Sequence, residues 1–249
     1  MKTGLITHQD CLNHKTPPGH PEQIARLEYI LEALQSVDLL RIDAPLASHN
    51  DLLRVHPRSH IEHIIKSLPQ SGYCSIDGDT HMSPGSYTAA LRAVGGVLQA
   101  VDMVMAKSVQ NAFVATRPPG HHAERNKAMG FCFFGNAAIG AKYALQNHGL
   151  ERVAVVDFDV HHGNGTQDLL WDEKGSLFIT SHQSPLWPGT GSLDETGAYE
   201  NIINIPLPPH SDGKDMRIAY ERQAFPKLEA FEPELIVISA GFDAHFSDP

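Results

Sequence analysis

At Val153 a β-branched apolar run begins that empties, within a few residues, into carboxylates and imidazoles: Val153-Ala154-Val155-Val156-Asp157-Phe158-Asp159-Val160-His161-His162-Gly163-Asn164-Gly165. Apolar residues of this kind favour a buried strand, and the two glycines that follow suit a sharp backbone turn. In an extended segment, residues two apart point the same way, so Asp157, Asp159 and His161 share one face where the strand ends. Asp159 and His161 combine a hard oxygen with an imidazole, a pair suited to Zn²⁺. Two Asp and two His at the end of a buried strand carry a heavy desolvation cost unless a cation or a dense hydrogen-bond network offsets it.

Two further apolar runs end in the same way. Leu235-Ile236-Val237-Ile238-Ser239-Ala240 delivers Gly241-Phe242-Asp243-Ala244-His245 into a loop, which makes Asp243 the expected third ligand. Ala112-Phe113-Val114-Ala115-Thr116 is followed by Arg117-Pro118-Pro119-Gly120-His121-His122. Sites in open parallel sheets form beyond the carboxyl ends of the strands, so three such exits predict one shared crevice.

At 249 residues and 41% hydrophobic content the chain is large enough for a sizeable core, and one domain over 1–249 is expected. A net charge of -10 argues against direct nucleic-acid binding or attraction to an anionic membrane, and suits a cationic substrate. The 16 histidines identify no ligand by number alone. Cys11, Cys74 and Cys132 are too few and too scattered for a disulfide framework, and no C-x-x-C pair offers a cysteine zinc site. The amino terminus has no long apolar segment and no run approaches membrane-spanning length, so a soluble cytoplasmic protein is expected.

Helical spacing and caps predict a helix opened by Pro21 with Ile24, Leu27, Leu31 and Leu34 on one face. Ser48 caps another through Leu52, Leu53 and Val55, and a third runs around Ile61 to Leu68, ahead of Pro69. A long Ala- and Val-rich helix is expected from Gly85 to about Lys107, its Gly95-Gly96 pair permitting close packing. Gly135 to Asn147 reads as a helix closed by Gly149, and Asp212 to Ala230 as one bent or interrupted by Pro226. With Ser176 to Ser181 and Asn201 to Ile205 as further strands, β and α segments alternate, which predicts a parallel sheet covered by helices on both faces.

The blocks RPPGHHA, GFCFFGNAA, VAVVDFDVHHGNGTQ, PLWPGTG and SAGFDAHFSDP, in that order, resemble the histone deacetylase superfamily. The likeness is nearest to class II enzymes and their bacterial deacetylase relatives, including acetylpolyamine amidohydrolases. It implies an arginase-like three-layer α/β fold and a zinc-dependent amidohydrolase acting on acetylated lysine, polyamines or small amines. By the resemblance, Asp159, His161 and Asp243 match zinc ligands. His122 matches a general base and acid, and His121 its electrostatic support. Asp157 matches the carboxylate that orients His121 and helps hold a structural K⁺, together with backbone groups near His161 and Ser181. Asn164 stands where class I members have Asp, and a neutral partner should leave His122 less basic. Phe131, with Gly130 beside it, and Trp187 match the walls of a tunnel for an aliphatic stem, and Asp79 matches a rim carboxylate that contacts substrate. Cys132, beside that wall, reads as a small buried hydrophobe.

The resemblance also implies a further helix and strand after Pro249, leading to a Gly-Gly-Tyr loop whose tyrosine steadies the oxyanion. None of the six tyrosines here matches it. A chain lacking that carboxyl-terminal strand and helix is therefore expected to be slow or inactive. Three readings compete: a zinc deacylase represented by an incomplete sequence, a non-enzymatic metal-binding relative, and another metallohydrolase on the same fold, such as a manganese ureohydrolase. The single Asp-His-Asp set favours one zinc over two manganese ions.

Overall fold

The computed structural model describes residues 2–248, which fall into two compact units, one ending at Gly140 and the other beginning at Ala141. The first contains β1 (Thr3–Thr7), α1 (Ile24–Ala33), β2 (Leu40–Asp43), α2 (His49–Leu52), α3 (Arg58–Lys66), β3 (Cys74–Ser75), β4 (His81–Met82), α4 (Ser86–Met105) and β5 (Asn111–Val114). α5 (Asn136–Asn147) runs across the boundary. The second unit continues with β6 (Val153–Asp157), α6 (Asn164–Leu170), β7 (Ser176–Gln183), β8 (Ile202–Leu207), α7 (Gly213–Ala219), α8 (Phe225–Phe231) and β9 (Leu235–Ser239).

In the first unit β1 lies between β2 and β5, all parallel. Strand residues alternate faces, so Leu5 packs with Leu27 of α1 on one side and Ile6 with Met103 of α4 on the other. This gives the expected helix–sheet–helix layering. β3 and β4 form a short antiparallel pair.

Several elements start or end for reasons absent from their own segments. α1 begins at Ile24 rather than at Pro21, because Glu22 is drawn inward by Arg117 and cannot sit in a first turn. Ser48 caps α2 as expected, in a capping box completed by Asp51, but α2 stops at Leu52, and the chain turns at Pro57 before α3. The expectation that no run approaches membrane-spanning length is corrected by α4. By length and composition this helix is long and apolar enough to cross a bilayer, yet half of that stretch is buried within its unit. It is a core helix: a Cβ on Gly95 would lie 2.0 Å from the Pro45 carbonyl oxygen.

The second unit is a parallel sheet in the order β8-β7-β6-β9. Ala154, Leu177, Ile179 and Ile205 pack beneath Ala219, Ala224 and Leu228, and on the opposite face Val153, Val155 and Phe178 are fully buried. Between α7 and α8 the chain opens into a wide turn over Tyr220–Ala224 with i→i+5 character. Pro226 explains it, since its ring and missing N–H cannot continue an α-helical ladder through that point. β9 is apolar up to Ser239 but pairs only with β6 among the described residues, and Ile236 and Ile238 stand exposed.

Candidate metal centre and paired histidines

Two neighbouring strand ends build the centre of the second unit. β6 and β9 are parallel with Asp157 opposite Ser239, so both chains leave the sheet at the same edge. This is also where the strand order reverses direction, the place where an open α/β sheet forms a crevice. Asp159 and His161 follow β6, and Asp243 follows β9. Their ligand atoms all lie within 4.8 Å of one another. The His161 Nδ1 lies 3.1 Å from Asp159 Oδ1 and 3.0 Å from Asp243 Oδ2. Backbone bonds fix both carboxylates: His161 N donates to Asp159 Oδ1 at 2.8 Å and Val160 N to Asp243 Oδ1 at 3.0 Å.

This arrangement fits a divalent cation. Hydrogen bonds to Asp159 and then Asp243 push the His161 imidazole up to about 9. The same pair of half-buried carboxylates that attracts a proton to His161 attracts a dication, and two oxygens with one imidazole nitrogen form a familiar donor set for one.

Asp157 stands apart from these three. It is fully buried, and its Oδ1 accepts the Asp159 N–H at 3.1 Å, so it sets the turn that presents Asp159 and His161. Gly163 turns the backbone sharply as expected, with φ -74 and ψ 61 and the Asn164 N–H donating to the His162 carbonyl at 2.8 Å, whereas Gly165 lies within α6. Gly163 also provides clearance: a Cβ there would lie 2.6 Å from Asp157 Oδ2. Gly241 does the same for the centre, its missing Cβ falling 2.0 Å from Asp159 Oδ2. Asn164 is buried at the first residue of α6. Ser181, at the end of β7, pairs its hydroxyl with Tyr220.

Trp187 is half-exposed, its ring edge-on to His161 with 6.0 Å between centroids. A polar network absent from the sequence reading holds down the loop that follows it. Thr190 donates to His162 Nδ1 at 2.7 Å, and His162 Nε2 donates to Gln167 Oε1 at 3.0 Å. The Gln167 amide meets Glu195, which also accepts the Gly191 and Ser192 N–H groups.

In the first unit, His121 and His122 follow β5 with ring centroids 3.8 Å apart, and His122 is 4% exposed. The segment leading to them is pinned at both ends. Arg117 binds Glu22 and the carbonyls of Cys11 and His14, while a Cβ on Gly120 would meet Asn136 N and Phe134 O at 2.7 Å. Beyond the pair, His56 Nδ1 donates to Arg125 O at 3.1 Å and its Nε2 accepts the Gly135 N–H at 2.9 Å. His60 Nε2 donates to Phe133 O at 2.8 Å. These two stacked imidazoles hold the segment that carries Gly130, Phe131 and Cys132, the last buried as expected. Asp79 lies beside Phe131, linked to it through Thr80. Burial raises the Asp79 carboxyl, and neighbouring Asp77 adds to the effect.

Comparison with known proteins matches the histone deacetylase domain over residues 20–249. A protein of Archaeoglobus fulgidus named a probable deacetylase is 38% identical over 258 residues, covering 100% of this chain and 71% of its own length. The histone deacetylase-like amidohydrolase of Pseudomonas aeruginosa is 41% identical over 239 residues, covering 93% of this chain and 63% of its own. The crystal structure of the HDA15 HD domain superposes with a TM-score of 0.92 at 34% identity, covering 99% of this chain and 76% of that one. The α/β fold is accordingly of the arginase/deacetylase type. With both the sequence blocks and the fold in agreement, the chain belongs to the histone deacetylase family.

Proposed function

We propose that the chain is a zinc-dependent amidohydrolase that removes acetyl or related acyl groups from lysine side chains or from polyamines and other small amines. The convergence of Asp159, His161 and Asp243 within 4.8 Å carries this reading. These three residues would hold Zn²⁺, which when bound polarises an amide carbonyl and brings the pKa of water down to about 7.

The protein's own groups complete the chemistry. His122, almost wholly buried, would accept the proton of an attacking water and return it to the departing amine, which otherwise leaves poorly. His121 lies against it and supports the charge that develops on the imidazole during that transfer. By the family resemblance Phe131 matches an apolar wall for a straight aliphatic stem, as does Trp187 in the second unit; Gly130 shapes the backbone beside Phe131, and Asp79 offers an acceptor for substrate N–H groups. Asp157, with backbone groups near His161 and Ser181, would hold a structural K⁺. The net charge of -10 favours cationic acylated substrates, and the low count of three cysteines suits the reducing cytoplasm.

A panel of acetyl-lysine peptides and acetylpolyamines, incubated with zinc-loaded protein, tests the proposal by release of acetate. Hydrolysis that His122→Ala abolishes while bound zinc stays stoichiometric supports it. Stoichiometric zinc with no hydrolysis of any acylated amine overturns it in favour of a binding protein.

A further inference from the structure

One buried hydroxyl joins two loops that lie far apart in the sequence. Asp77 Oδ1 accepts the N–H groups of Asp79 at 3.1 Å and Thr80 at 2.7 Å, which fixes a tight turn ahead of β4. Thr80 is fully buried. Its Oγ1 donates to Asp79 Oδ1 at 3.1 Å and accepts the Phe131 N–H at 3.1 Å. Phe131 needs such a tie, because it holds φ +68 directly after Gly130 at +55. A bulky residue stays in that region only where its surroundings impose it. His20 braces the same two residues. Its Nε2 donates to the Asp79 carbonyl at 2.8 Å, and its ring stands edge-on to Phe131 at 4.7 Å.

We propose that Thr80 is a positioning residue that makes the Asp79 carboxylate and the Phe131 ring one preformed recognition unit for an acylated amine. The stem of such a ligand lies along Phe131 while an N–H group near its other end meets Asp79. Without the Thr80 hydroxyl, the carboxylate keeps its contacts with Asp77 and the Gly130 backbone but loses its link to Phe131, and the Phe131 N–H loses its partner, so substrate must restore the arrangement on binding. The inference rests on the reading of Asp79 and Phe131 as substrate contacts, and concerns how they are held.

Thr80→Val keeps the shape of the side chain and removes both hydrogen bonds, whereas Thr80→Ser keeps the hydroxyl. With a zinc-loaded protein and an acetyl-lysine peptide, Thr80→Val is expected to raise KM about tenfold, the usual scale of one to two lost hydrogen bonds, with kcat nearly unchanged. Thr80→Ser should stay close to the parent. If the valine variant does not fold, Thr80→Ala against Thr80→Ser makes the same comparison, since they differ only by the hydroxyl. Hydrogen exchange at the Phe131 amide should accelerate in the valine or alanine variant and not in the serine variant. Asp79→Asn should raise KM in the parent and add little in the hydroxyl-less background, because the two act through one unit. A lower Tm with unchanged KM, or additive effects of the two substitutions, overturns the positioning role. If Asp79→Asn and Phe131→Ala both leave KM unchanged while Phe131 exchange still follows the hydroxyl, the substrate-contact reading fails and the positioning role falls with it.

Discussion

The Arg117 guanidinium grips the Glu22 carboxylate through two of its nitrogens across 95 residues of sequence, with Nη2 at 2.7 Å from Oε2 and both side chains almost wholly buried. His14 adds a third contact to the same carboxylate at 3.2 Å and turns its other nitrogen to Ser86 Oγ at 2.7 Å. Burial by itself would raise the Glu22 carboxyl, but the hydrogen bonds from His14 and Arg117 outweigh it and hold the group at about 2. The pair fixes the entrance to the segment that ends in His121 and His122.

Removing one partner leaves a buried charge alone. Glu22→Ala is expected to cost about 3–5 kcal/mol of stability, whereas replacing Glu22 and Arg117 together with apolar residues of similar volume recovers much of that loss. Urea denaturation of the single and double variants distinguishes the two cases. A single variant as stable as the parent would show that the pair contributes nothing to the core.

The proposed ligand set predicts separable effects on metal and turnover. Asp243→Asn or His161→Ala should severely weaken zinc binding, read by titration calorimetry and elemental analysis. His122→Ala should keep zinc and lose roughly 10²- to 10⁴-fold in turnover, the usual contribution of positioned proton transfer. Parallel loss of metal and activity in the His122 variant would show that it is a ligand or a structural residue.

Gly241 gives a subtler test of the same centre. A methyl group there would fall 2.0 Å from Asp159 Oδ2, so the carboxylate or the β9 loop must move. Gly241→Ala is expected to weaken zinc binding by about tenfold or more, since supporting residues around a metal commonly contribute 10- to 100-fold. Unchanged affinity would mean that Asp159 has freedom the geometry does not suggest.

The ends of β6 and β9 were legible because apolar β-branched residues change abruptly to Asp and His, and two neighbouring parallel strands of one sheet release their loops at a common edge. The ties around them were not. Thr80 to Phe131, Glu22 to Arg117 and His56 to Gly135 link loops without periodicity, and an imidazole or hydroxyl that serves a distant backbone group looks in sequence like any surface residue. Gly163 was legible only in part: it turns the backbone as its sequence position suggests, but it also leaves room for the Asp157 carboxylate, a constraint set by tertiary packing. α4 shows the converse limit, because composition alone does not distinguish a core helix from a bilayer-spanning one.

The stacked imidazoles of His56 and His60 make stability sensitive to mild acid. Burial, and next the neighbouring His60, pushes His56 down to about 3, and burial lowers His60 as well. The folded state therefore refuses a proton that the unfolded chain takes up below pH 6.5. Because the unfolded state then binds more protons, stability falls as pH falls, by about 1.4 kcal/mol per pH unit for one such group, until the folded state itself titrates near pH 3. Glu22 acts in the same direction but later, since its lowered carboxyl withholds a proton only from about pH 4.5 down to about 2. His56→Gln removes one titrating group, so it should be less stable than the parent at pH 7.5 yet show a shallower decline between pH 6.5 and 5. The slope should be reduced by about 1.1 kcal/mol per pH unit on average in urea denaturation across that range, approaching 1.4 at its acid end. Equal slopes in parent and variant would mean that His56 is protonated in the folded protein, and that its bonds to Arg125 and Gly135 hold the Phe131 segment in some other charge state.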